Sequence, residues 1–158
     1  MNTRFGLICA VAVVTLGGVA GNANAQIVTV SNWNYIAVNP NSTPANRPTI
    51  NPAGTYSVAA PKGQQKWRVV LDYGTLVSGT FTAFAPANQP GLGMTANLTI
   101  TNLNNNGTWS FGAAPGDILN VAANQLQPNT AARIRLQIQN PNNQMWIDQG
   151  TPVYCALN

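Results

Sequence analysis

Ala132-Arg133-Ile134-Arg135-Leu136-Gln137-Ile138-Gln139 alternates without interruption, Ile134, Leu136 and Ile138 pointing one way and Arg133, Arg135, Gln137 and Gln139 the other. A period of two is the signature of a strand, whose successive side chains leave opposite faces. A helix would scatter the same residues around its circumference. The stretch therefore predicts a strand with one apolar and one polar face, closed by the turn residues Pro141-Asn142-Asn143.

The same reading extends outward. Within 66–73, Trp67, Val69, Leu71 and Tyr73 share a face, and 76–85 follows after Gly74-Thr75, which predicts a hairpin turning at those two residues. Asp72 falls opposite the apolar set and is expected to face solvent. In 94–103, Met94, Ala96, Leu98 and Ile100 alternate with Thr95, Asn97, Thr99 and Thr101. Asn104-Asn105-Asn106-Gly107 reads as a turn, because Asn and Gly tolerate positive φ, and 108–112 returns with Trp109 and Phe111 inward. Further strands are expected at 117–123, 144–147 and 152–157.

At the other end, 26–38 is β-prone with an irregularity expected near Asn32. Trp33 and Tyr35 fall on one face, and Val28, Val30, Ile36 and Val38 on the other. The Pro/Asn-rich stretch 39–55, with Pro40, Pro44, Pro48 and Pro52, is expected to be an extended surface loop, since proline supplies no ladder donor. Some eight short strands with almost no helical periodicity imply an all-β fold, a single antiparallel β-sandwich or a closely related barrel.

Residues 1–25 read as a cleaved signal peptide. Arg4 supplies the positive charge, 5–20 is apolar, and Ala23-Asn24-Ala25 offers small residues for cleavage. Residues 26–158 then form one domain, secreted or at the cell surface in a periplasmic or extracellular setting. No later segment approaches the ~20 apolar residues of a membrane-spanning helix. Loss of Arg4 leaves Arg47, Lys62, Lys66, Arg68, Arg133 and Arg135 against Asp72, Asp117 and Asp148. So sparse a set of bases gives no phosphate-binding patch, and nucleic acid is not an expected partner.

Catalysis has little to work with. The chain has no His, and its only acidic side chains are the three aspartates, so acid–base, nucleophilic and metal chemistry all lack a full set of groups. The expectation is a protein that is not an enzyme and takes no cofactor or metal. Two roles fit such an amide-rich, weakly charged surface. The first is structure and assembly, as in a surface-fibre or extracellular-matrix subunit, with 26–38 completing a neighbour's sheet through Ile27, Val28 and Val30. Cys155 is either a further intermolecular contact or a buried small hydrophobe among Val153, Tyr154, Ala156 and Leu157. The second is binding of an extracellular glycan on aromatic rings. Trp67 and Trp109 belong to apolar faces and are expected in the core, which leaves Trp33, Tyr35 and Trp146 as candidate ligand contacts. N-glycosylation patterns begin at Asn41, Asn97 and Asn106.

Overall fold

The computed structural model describes residues 26–41, 46–58, 66–84, 96–100, 106–111 and 126–157. The expected leader at 1–25, the expected strand at 117–123 and Asp117 lie outside them. The described residues form ten strands and no helix: β1 Ile27–Asn32, β2 Ile36–Asn39, β3 Arg47–Thr49, β4 Ala53–Ser57, β5 Trp67–Val77, β6 Thr80–Ala83, β7 Ala96–Ile100, β8 Asn106–Ser110, β9 Thr130–Gln139 and β10 Trp146–Ala156. Every pairing is antiparallel. One sheet has the order β1-β4-β8. A second runs β10-β9-β5-β6, with β7 also pairing β5, and β2-β3 form a separate ribbon. The arrangement has the form of a half-barrel.

The alternation that reads as strand in the sequence also builds the interior. Trp67, Val69, Leu71 and Tyr73 of β5 and Ala132, Ile134 and Leu136 of β9 are buried together with Val28, Tyr56 and Trp109 from the first sheet and Phe111 just after β8. Trp67 and Trp109 occupy the core as expected, and Trp109 meets Phe111 edge-on with ring centroids 5.8 Å apart. Trp109 Nε1 donates to the Thr55 carbonyl at 3.0 Å, so its burial leaves no unpaired donor. No helix of the described residues is long and apolar enough to cross a membrane.

Several local expectations need correction. The 26–38 segment is two strands, separated at Trp33–Tyr35. Asn34 takes a left-handed φ of 47°, its amide N–H bonds Asn32 Oδ1 at 2.8 Å, and its side chain donates to the Asn51 carbonyl at 2.8 Å. This kink turns Trp33 inward with Val28, whereas Ile36 and Val38 remain exposed. From Arg47 onward the Pro-rich stretch is not a surface loop: Pro40 is exposed and 42–45 lies outside the described residues, but Pro48, Thr49, Ile50 and Pro52 are all buried, and Arg47–Thr49 pairs with β2. Pro48 is tolerated because, among the described residues, β3 is paired along only one edge.

Punctuation residues mislead in the same way elsewhere. β5 runs straight through Gly74-Thr75, and the hairpin turns at Ser78-Gly79, whose φ values of 48° and 81° suit a two-residue turn of the twisted-hairpin type. Asn106 and Gly107 belong to β8, which pairs β4 while β7 pairs β5, so the strands flanking that Asn cluster join different sheets. The two expected C-terminal strands are one, β10, with a bulge between Gln149 and Val153. Gly150 in that bulge has φ 70° and packs against the Gln26 carbonyl, where a Cβ would collide.

Gly54 is the tightest of these approaches, since a Cβ there would run into the Thr29 carbonyl and the Trp109 ring. Gly54→Ala is expected to lower unfolding free energy by about 3 kcal/mol through forced separation of β1 and β4. Gly79→Ala, at a turn position with nothing within 4 Å of a Cβ but with a left-handed φ of 81°, should lower it by about 1 kcal/mol through backbone strain alone. Urea unfolding followed by tryptophan fluorescence measures both.

Candidate functional site

The outer face of the five-stranded sheet gathers most of the charge that this sparsely charged chain possesses. Register sets β5, β9 and β10 side by side in rows: Arg68, Gln137 and Asp148 form one, and Asp72, Arg133 and Tyr154 another. Alternation along each strand keeps these residues on the face opposite the core. One row further out lie Lys66 beside Gln139, joined by a backbone bond of 2.9 Å, and Trp146 opposite Gln139.

Asp72 is the centre of this face. Contrary to the expected solvent position, it is only 4% exposed. Arg135 grips it with two bonds, Nε to Oδ2 at 2.6 Å and Nη2 to Oδ1 at 3.1 Å. Arg133 adds two more to Oδ2, from Nε at 3.1 Å and Nη2 at 2.8 Å. A carboxylate can be buried when charge-assisted donors replace water in this way. Arg135 then reaches Asp148 Oδ1 through Nη1 at 2.7 Å, and Gln137 donates to the same oxygen at 2.7 Å. Burial opposes the charged form of Arg135, but the hydrogen bond and charge of Asp72, reinforced by Asp148, outweigh it and raise the guanidinium's pKa.

Aromatic rings close both ends of the network. The Arg133 guanidinium lies 4.1 Å from the Phe81 ring centroid, and Phe81 in turn meets Tyr154 at 5.7 Å. Gly74 makes this possible: a Cβ there would sit 2.7 Å from the Phe81 ring and collide with the Thr82 carbonyl. At the opposite end the Arg68 guanidinium lies 4.1 Å over the Trp146 ring, and Arg68 Nε donates to Gln137 Oε1 at 2.8 Å. Burial lowers the Arg68 pKa, and repulsion from Arg135 adds to this, against the opposing pull of Asp72 and Asp148.

The residues singled out from sequence scatter. Trp33 is 5% exposed and packs in the core, so it cannot stack on a ligand. Tyr35 is half-buried against the core, and its hydroxyl donates to the Leu157 carbonyl at 2.6 Å, tying the β1–β2 kink to the C-terminus. Trp146 alone among the three reaches the polar face, half-buried beneath Arg68. Of the expected intermolecular contacts, Val28 is buried, Val30 packs against the core, and Ile27 is 46% exposed. Strand β1 pairs with β4 of its own chain from Ile27 to Asn32. Cys155 is 3% exposed, which closes it to a partner's thiol and leaves the small-hydrophobe role.

Arg68, Asp72, Phe81, Arg133, Arg135, Gln137 and Asp148 were not among the sequence-based site residues. The one available signal was parity. Asp72 shares alternation with Arg68, and Arg133, Arg135 and Gln137 share theirs, so pairing the two strands polar face to polar face sets anion between cations. Comparison of the chain with protein-family models, with curated proteins and with solved structures gave no match, so the functional reading rests on this geometry.

Two outcomes follow for the face and the strand behind it. Asp72→Asn leaves Arg133 without its anion and Arg135 with Asp148 alone, and should lower unfolding free energy by about 3 kcal/mol in urea titrations. Tyr73, on the core side of β5, has a buried hydroxyl with no partner among the described residues, and burial raises its pKa well above the usual tyrosine value. Above about pH 10 the unfolded chain loses this proton before the folded one does, so Tyr73 makes stability fall as pH rises. Tyr73→Phe should leave stability at neutral pH unchanged or higher, and should move the alkaline unfolding midpoint upward in circular-dichroism melts.

Proposed function

We propose that this chain is an exported, non-enzymatic β-sandwich module of the cell surface or extracellular space, and that the outer face of its five-stranded sheet contacts a glycan. The observation that carries this reading is the half-buried Trp146, stacked against Arg68 on the face that also bears Arg135, Gln137 and Asp148. An aromatic ring offers a flat apolar surface to the C–H face of a sugar, and neighbouring amide, guanidinium and carboxylate groups answer its hydroxyls. The sandwich form is supported by the two sheets sharing one core. The non-enzymatic reading is supported by the state of Asp72 and Asp148: arginine donors occupy both oxygens of Asp72 and one of Asp148, a poor arrangement for a general acid or base.

Assembly is the second reading, and a different observation favours it. Among the described residues, strand β2 is paired only with β3, and its Ile36 and Val38 are 48% and 51% exposed with no charge between them. Edges of this kind are open to strand addition.

One preparation of residues 26–158 tests both readings. Binding to an immobilised panel of neutral and acidic polysaccharides, lost in Trp146→Ala while its melting temperature is kept, supports the glycan reading. A protein that ignores the whole panel and elutes as a large oligomer, with filaments by negative-stain microscopy, would replace it with assembly.

A further inference from the structure

The sheet face carries three guanidiniums and two carboxylates, and their pairing is unequal. Arg133 and Arg135 are both salt-bridged to Asp72, and Arg135 also to Asp148. Arg68 has no carboxylate at salt-bridge distance among the described residues, and its one hydrogen bond there is from Nε to Gln137. Its two terminal nitrogens have no partner in that set.

Arg68 is nevertheless held in place. Gln137, itself 5% exposed, anchors Nε, and the Trp146 ring supports the plane of the guanidinium. Gln137 is fixed in turn by its bond to Asp148. Lys66, exposed and two residues earlier on the same strand face, adds a second positive charge at this end of the sheet. A planar, immobilised guanidinium with its outer nitrogens unpartnered matches the two oxygens of a carboxylate, and less of its rotamer freedom remains to be lost on binding.

We infer that Arg68 and Trp146 form a subsite for a carboxylated sugar, the acid group received by the terminal nitrogens of Arg68 and the pyranose ring packing against the part of the half-buried indole that Arg68 leaves uncovered. The inference rests on the glycan-contact reading and narrows it to acidic polysaccharides of the uronate class. Arg68 is the specificity determinant, because a neutral sugar leaves its guanidinium unanswered. Asp148, 52% exposed at its side chain, lies at the margin and disfavours anions that approach from its side.

Affinity electrophoresis of the protein, expressed as the full chain, in gels containing polygalacturonate, neutral galactan or polyglutamate tests this directly. Polygalacturonate should retard the protein, polyglutamate should not, and added salt should weaken the effect. Arg68→Gln should reduce polygalacturonate affinity roughly tenfold or more, and Arg68→Lys should recover only part of it, since an ammonium lacks the planar fork. Near-ultraviolet dichroism checks that the variants remain folded, and Arg47→Gln, on a different sheet, serves as the control of equal net charge. Retardation by galactan alone would overturn the carboxylate subsite and leave the glycan reading standing. Retardation by neither polysaccharide would overturn both. Equal retardation by polyglutamate, or equal losses in Arg68→Gln and Arg47→Gln, would reduce the effect to net charge and overturn the subsite.

Discussion

Asp72 sits in the middle of the central strand with almost no access to water, and the fold surrounds its carboxylate with arginine donors. Burying an unpaired carboxylate is prohibitive, whereas one that receives four charge-assisted donors can be tolerated. The donors come from β9, so the β5–β9 register is tied to the ion cluster as well as to the core. A slip of one residue would turn Arg133 and Arg135 into the apolar interior and Ile134 onto the carboxylate. The two faces of the sheet therefore select the same register for unrelated reasons, one hydrophobic and one electrostatic. Such agreement between levels gives a sequence one preferred structure.

Glycine takes part in this arrangement through what it lacks. Gly74 lies within β5 and does not turn the chain; the missing Cβ lets Phe81 fold across the sheet onto Arg133. Gly54 and Gly150 similarly admit neighbouring backbone, drawing β1 against β4 and the start of the domain against the β10 bulge. Close approach at these points ties the first residues of the described domain into the structure, and this limits what the N-terminal segment could donate to another molecule. Among the exposed β-branched apolar residues, Ile36 and Val38 share β2, whereas Ile27, Val77 and Ile147 lie singly on β1, β5 and β10.

Much of the fold was legible because its strands obey the two-residue period. The inward set on β5 and β9, the core placement of Trp67 and Trp109 and the polar set on β9 all follow from alternation. Punctuation was less reliable. Gly74-Thr75, Asn106-Gly107 and Gly150-Thr151-Pro152 all carry turn-forming residues, yet each lies inside a strand, where the glycines serve close packing or a bulge. Pro48 and Pro52 suggested an exposed loop but are buried, since proline is excluded from paired ladder positions and not from the interior.

The sequence by itself determined an all-β chain with a scarcity of reactive groups, because periodicity and composition are local properties that need no partner to be read. Only the tertiary structure decided which polar residues meet. Asp72 and Arg135 are far apart in the chain, and Trp33 and Trp146 carry similar polar neighbours, yet one tryptophan is sealed in the core and the other lies on the charged face. The physical reason is that strand register and a single left-handed Asn34 assign faces across long separations, and neither leaves a mark in the local pattern of residues.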